Sequence, residues 1–184
     1  MRKSVLLWGS LLLLGACGES QVPTDDTGSM TGIQLAPGKE KDLRTLRTVT
    51  APFRDFAQAT GAGYSTEITP CMSDPTLGGM GFHYGKVGLI DGTAQVDEPE
   101  LLLYEPQANG RLKLVAVEYI IPYTFAPKDG PAPVLFGETF SQNDTFQLWG
   151  LHVWLWKSNP SGLFASWNPR VSCSGTSNVM QMQH

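Results

Sequence analysis

The hydrophobic pattern of this chain changes its period three times. Residues 5–14 form a short apolar region, broken at Gly9 and Ser10, behind Arg2 and Lys3. That run is too short to span a bilayer core of about 30 Å as a helix, and it has the order of a secretory signal: basic start, apolar middle, small residues. Residues 18–40 show no period and are rich in Gly, Pro, Ser and Thr, which predicts a flexible tether. Between residues 43 and 60, Leu46, Val49, Phe53, Phe56, Ala57 and Thr60 recur at spacings of about three and four, one stripe of a helix. Pro52 interrupts it and Thr50 can cap a new start. The expectation is therefore a turn or short helix followed by a helix over 51–60, ended by Gly61 and Gly63.

Beyond Cys71 the pattern becomes strand-like. Strands are predicted over 79–84, 100–105, 111–123, 134–140 and 148–157, with turns at 106–110, which contains Asn109-Gly110, and at 159–162. Both parities of 111–121 are apolar, so that strand should lie centrally and be covered on both faces. The fold class expected is α+β, with one or two N-terminal helices packed on an antiparallel β-sheet or a small half-open β-barrel. The expected organisation is a signal peptide over 1–16, a lipidated Cys17 with its tether over 17–40, one domain over 41–174 and a disordered tail over 175–184. In that tail Met180, Met182 and His184 alternate, a pattern that could bind Cu(I) but reads first as a frayed end.

Leu14-Gly15-Ala16-Cys17 has the form of a bacterial lipobox, in which Cys17 is lipidated and becomes the mature N-terminus. Gly18 follows the cysteine where Asp would favour inner-membrane retention, so by similarity to Gram-negative lipoproteins the expected location is the outer membrane of the cell envelope. The membrane is the first expected partner, reached through the anchor at Cys17. The chain carries 13 Lys and Arg against 17 Asp and Glu, and loss of residues 1–16 removes two bases and no acid. An acidic protein lacks the overall basic character of a nucleic-acid binder, and its hold on a membrane should come from acyl chains.

Two cysteines remain, Cys71 and Cys173. In an oxidising compartment they are expected to form a disulfide; two buried thiols or two metal ligands are the alternatives. No nucleotide-binding glycine motif, P-loop or GxSxG elbow is present.

Three ionisable side chains interrupt apolar strands: His83 in Gly-Phe-His-Tyr, Glu118 in Val-Ala-Val-Glu-Tyr-Ile-Ile, and His152 in Gly-Leu-His-Val-Trp. A carboxylate buried alone costs several kcal/mol, so it is protonated, paired or metal-bound. Strand parity puts Glu118 with Leu112, Leu114, Ala116 and Ile120, and His152 with Leu148, Gly150, Trp154 and Trp156. Two His and one carboxylate form a ligand set for a divalent transition metal such as Zn, Fe or Mn. Tyr84, Tyr119 and Trp154 are the candidate walls, and Trp154 with Trp156 could make a stacking platform. Asp91 and Asp97 read as turn residues, with a calcium loop as the lesser alternative. Three functions fit these residues: a binding module for a small ligand or metal, a metal-dependent enzyme using His83, Glu118 and His152, and a structural envelope lipoprotein in which the trio is only a hydrogen-bond network.

Residues 64–173 resemble a family of exported bacterial hypothetical proteins and lipoproteins of unknown function. The shared motifs here are Gly63-Tyr64, Cys71, residues 79–84 (GMGFHY), 97–104 (DEPELLLY), 114–119 (LVAVEY) and 151–173 (LHVWLWKSNPSGLFASWNPRVSC). The chain departs from the pattern at Phe82, where the family has a β-branched residue. The resemblance implies no activity, but it sets His83, Glu118 and His152 each inside a motif. Cupin metal proteins also place His and Glu on strands, yet this chain lacks their His-x-His pair.

Overall fold

The computed structural model describes residues 36–176. The expected signal segment, Cys17, most of the expected tether, and Met180, Met182 and His184 lie outside these residues. No helix among the described residues is long and apolar enough to cross a membrane.

Helix α1 spans Pro37–Thr50 and so begins inside the stretch expected to be tether. Pro37 occupies the first turn, where its missing N–H costs nothing, and Arg47 in the last turn complements the helix dipole. Leu43, Leu46 and Thr50 form its buried face. Thr50 does not cap the next helix. Its hydroxyl donates instead to the Leu46 carbonyl at 2.7 Å, and the chain runs on through a 3-10 turn, Ala51–Arg54, that accommodates Pro52. Asp55 is the cap: its carboxylate accepts from the Ala57 N–H at 3.0 Å and starts α2, Phe56–Gly61.

Eight strands follow: β1 Thr66–Asp74, β2 Gly78–Gly85, β3 Leu101–Pro106, β4 Leu112–Pro122, β5 Val134–Leu135, β6 Glu138–Thr139, β7 Ser141–Asn143 and β8 Leu148–Val153. Six form one antiparallel sheet in the order β1-β2-β3-β4-β8-β7, and β5 and β6 pair as a separate ribbon. The sheet curls into a half-barrel with the N-terminal helix packed against it, an α+β fold as expected. The strand β4 is central, and Val115, Val117 and Tyr119 in it are fully buried. The segment 134–140 is not one strand, because Phe136 and Gly137 adopt left-handed φ values of 55° and 70° and fold it into the β5–β6 turn. The strands β1 and β7 are additional to those expected.

The two faces of the sheet differ. Leu102, Tyr104, Leu114, Val117, Tyr119, Ile121, Leu151 and Val153 share a core with Leu43 and Leu46 of α1. Leu101, Leu103, Ala116, Ile120 and Trp154 face the other way, together with the three buried ionisable residues. A β-bulge separates the expected parity of β4 from the observed one. Leu103 pairs with Ala116 but Tyr104 pairs with Leu114, so Val115 is the extra residue. Leu114 and Leu112 therefore pack on the helix side, not beside Glu118 as simple alternation predicts.

The C-terminal segment is strapped to the sheet at several points. Lys157 holds both oxygens of the Glu105 carboxylate at 2.6 and 2.7 Å, and the Ser172 N–H donates to the same carboxylate at 3.0 Å. Asn168 pairs with Gly79 by backbone bonds in both directions. Cys71 and Cys173 form a disulfide, so the alternative of free or metal-bound thiols does not apply.

Candidate functional site

Cross-strand register brings the three ionisable residues together. Glu118 of β4 lies directly opposite His152 of β8. His83 of β2 reaches Glu118 diagonally across β3, where Leu101 is the partner of Glu118 and Leu103 that of His83. Glycines open the space. Gly81 has φ 92° and lies so close to β3 that a Cβ there would stand 2.4 Å from the Tyr104 carbonyl oxygen. At Gly150 a Cβ would stand 2.9 Å from Glu118 Oε1, so the carboxylate occupies the room this glycine leaves.

His83 Nε2 is 3.5 Å from Glu118 Oε2, and His152 Nδ1 is 3.8 Å from Glu118 Oε1. The imidazole rings of His83 and His152 are edge to face with centroids 6.1 Å apart. One potential ligand atom from each of the three residues lies within 4.8 Å of the others. All three side chains are buried. Among the described residues His152 Nε2 has no hydrogen-bond partner, and the Thr69 hydroxyl is 2.7 Å from His83 Nδ1.

Burial governs the charge of the group. It pushes the Glu118 carboxyl up to about 8, with the nearby Glu100 carboxylate adding to the rise. It pulls His83 down to about 4, opposed by a backbone hydrogen bond at Gly81. It pulls His152 down to about 3, helped by His83. At neutral pH the three groups are therefore mainly uncharged. Charged partners at these distances would attract, but burial removes the charge from both sides. Glu100 is a second carboxyl buried in the same way, pushed up to about 8, with its Oε2 accepting from the Ile120 N–H at 3.2 Å.

The trio opens into a cavity of about 270 Å³. Its walls are mostly apolar: Ile68, Met72, Met80, Leu101, Ile120 and Trp167, with the half-exposed Phe146 at its edge. Of the expected walls, Trp154 stacks on His152 with ring centroids 6.2 Å apart and an interplanar angle of 11°, backing the imidazole without lining the cavity. Tyr84 and Tyr119 lie on the opposite, helix-side face. Their hydroxyls donate to Glu67 at 3.2 Å and to the Val96 carbonyl at 2.7 Å. Adjacent residues of a strand point to opposite faces, so neither can share a wall with its neighbour His83 or Glu118. Trp156 has also left the face of Trp154, because β8 ends at Val153 and the chain turns toward α1. The stacking platform is therefore not formed.

Protein-family models, characterised proteins and solved structures contain no match to this chain. The geometry brings together three side chains that could hold a metal ion. Bonds of about 2.0–2.1 Å from one ion to three donors at tetrahedral angles would set the donors roughly 3.3 Å apart. The separations of 3.5 and 3.8 Å run to the two different Glu118 oxygens and exceed hydrogen-bond length, and with every ligand atom within 4.8 Å of the others the donors would have to draw in to share one ion. Two neutral imidazoles and one carboxylate also match the facial set used by divalent transition metals.

Thr69 is the residue that sequence reasoning missed. Its hydroxyl can accept the Nδ1 proton of His83 and leave the Nε2 lone pair directed at Glu118. For a metal held by the trio, Thr69→Val should lower affinity about 10–100-fold, the usual cost of losing an outer-shell partner, while leaving the disulfide and the sheet intact. Competition titration against a chelator measures this. Unchanged affinity would show that Thr69 does not orient the ring.

Proposed function

We propose that this protein binds one divalent transition metal through His83, Glu118 and His152, and that the adjoining cavity takes a small, largely apolar ligand. The observation that carries this reading is a buried trio in which one potential ligand atom of each member lies within 4.8 Å of the others, with gaps of 3.5 Å from His83 Nε2 and 3.8 Å from His152 Nδ1 to the Glu118 carboxylate. His152 Nε2, the other nitrogen of that ring, has no hydrogen-bond partner among the described residues. A purely structural network would close those gaps to about 2.7–3.2 Å and leave no polar atom orphaned. The cavity beside the trio favours a second reading, metal-dependent catalysis on the same ligand. There the ion when bound would supply Lewis acidity or an activated water. The chain's own part is to hold the ion, exclude bulk water and select an apolar substrate.

The lipobox at Cys17 supports an envelope protein anchored by acyl chains, and the Cys71–Cys173 disulfide fits an oxidising compartment. The deciding experiment is elemental analysis of the full chain, purified without a His tag from the envelope of an expressing bacterium. About one equivalent of Zn, Fe or Mn is expected, absent from His152→Ala. A protein that arrives without metal and binds none of the three ions on titration would overturn the proposal.

A further inference from the structure

A second cleft lies elsewhere on the molecule, shares no residue with the trio, and carries the opposite electrostatic character to the protein as a whole. It has a volume of about 680 Å³, within the range of small-molecule sites. Arg47 of α1, Arg54 of the 3-10 turn, Arg111 just before β4 and Lys113 near the start of β4 line it. Among the described residues that line it Asp55 is the one acid; its Oδ1 caps α2 and its charge remains, so four cations stand against a single carboxylate. Elsewhere, Lys39, Arg44, Lys128 and Lys157 each pair with a carboxylate, whereas Lys41, Lys86 and Arg170 form no ion pair among the described residues. Among the described residues no carboxylate forms an ion pair with any of the four cations of the cleft.

Two of these cations are held in place. Trp156 is fixed by donation from its Nε1 to the Thr50 hydroxyl at 3.2 Å. The Arg47 guanidinium carbon lies 4.7 Å from the Trp156 ring centroid and that of Arg54 lies 5.4 Å from it. Arg47 also donates to the Leu155 carbonyl at 2.8 Å. Two guanidiniums gathered on one indole repel each other, and the gathering of four like charges builds a positive potential that a multivalent anion relieves. Planar guanidinium donors match the oxygens of phosphate in bidentate fashion, and donors fixed beforehand lose less freedom on binding.

We propose that this cleft is a binding site for a phosphorylated small molecule bearing two or more negative charges. The inference stands apart from the metal reading and does not need it. The phosphate could belong to a soluble metabolite or to a lipid headgroup, and both present the same chemistry.

Calorimetric titration of the full chain in mild detergent with inorganic pyrophosphate tests it. One saturable site is expected, weakening as salt rises. The double variant Arg54→Gln/Arg111→Gln should weaken binding at least about tenfold, and Lys113→Glu alone should do the same. Lys41→Gln, an exposed cation outside the cleft, should change nothing, and His152→Ala should leave pyrophosphate binding intact. Unchanged far-ultraviolet circular dichroism and an unchanged melting temperature in the cleft variants would show that they fold. Sedimentation with phosphatidic acid vesicles, competed by pyrophosphate, would assign the phosphate to a lipid; binding to pyrophosphate without vesicle association would assign it to a soluble ligand. Absence of pyrophosphate binding at low salt, or equal binding by the double variant, overturns the proposal.

Discussion

Replacing Glu118 with glutamine should abolish metal binding and at the same time stabilise the metal-free protein above neutral pH. The two effects share one cause. Burial raises the folded-state carboxyl to about 8 from an ordinary value of 4.5. A group raised on folding contributes its stability fully below pH 4.5 and loses it as pH climbs to 8, because the unfolded chain can ionise and the folded one resists. At pH 7 the cost reaches up to about 3 kcal/mol, at about 1.4 kcal/mol per pH unit. Glutamine has no proton to lose and escapes that cost. The histidines act in the opposite direction: with folded values of about 4 and 3, their contribution is present above pH 6.5 and is lost as pH falls.

Metal uptake follows from the same states. At pH 7 both imidazoles are already neutral, and only Glu118 must give up a proton to become a ligand. Binding should release about one proton, and affinity should rise roughly tenfold per pH unit up to about pH 8 and then level off. Thermal unfolding in chelator at pH 6, 7, 8 and 9 reads the first effect, with the gap between Glu118→Gln and the parent growing up to pH 8. Chelator competition across the same series reads the second. A Glu118→Gln protein that is less stable than its parent at pH 8 would mean that the carboxyl serves a structural network, and the metal reading would fall with it.

How far such a site can be read from sequence depends on what kind of information defines it. Glu118 was legible because a carboxyl amid Val, Ala and Ile has few affordable environments, and His83 and His152 were the histidines left to meet it outside the tail. The central place of β4 was legible because both of its parities are apolar. The bulge at Val115 was not, since it exists only in the count of residues between two strands, and it moves Leu114 to the far face without changing one side chain's character. The edge strand β1 is half-exposed and irregular in register, and Pro70 sits within it, so Thr-Glu-Ile-Thr-Pro-Cys carries no alternation to detect. Thr69 was hidden for that reason. Its role comes from pairing opposite His83, and threonine in an unpatterned segment signals nothing by itself. The basic cleft was invisible in the net charge, because its four cations come from three separate stretches of an acidic chain.

Loss of the Cys71–Cys173 disulfide should give the largest stability change of any single covalent alteration. The bridge closes a loop with a sequence separation of 102, for which the chain-entropy model gives roughly 4–5 kcal/mol. For a domain of this size that corresponds to a melting temperature lower by roughly 10–20 °C. The native contacts near the bridge do not compensate, because they act in the folded state and the bridge acts mainly on the unfolded one. Lys157 with Glu105 and Asn168 with Gly79 should keep the C-terminal segment docked in the folded state. The Cys71→Ser/Cys173→Ser variant should therefore retain metal affinity within a few-fold at low temperature, since Trp167 stays at the cavity wall, and yet unfold far earlier on heating. Calorimetric melting of the double variant beside the parent, both with chelator, separates the two expectations. A drop of less than about 3 °C would place the stabilising role in the local contacts, and a normal melting point with lost metal would mean that the bridge shapes the cavity rather than the unfolded chain.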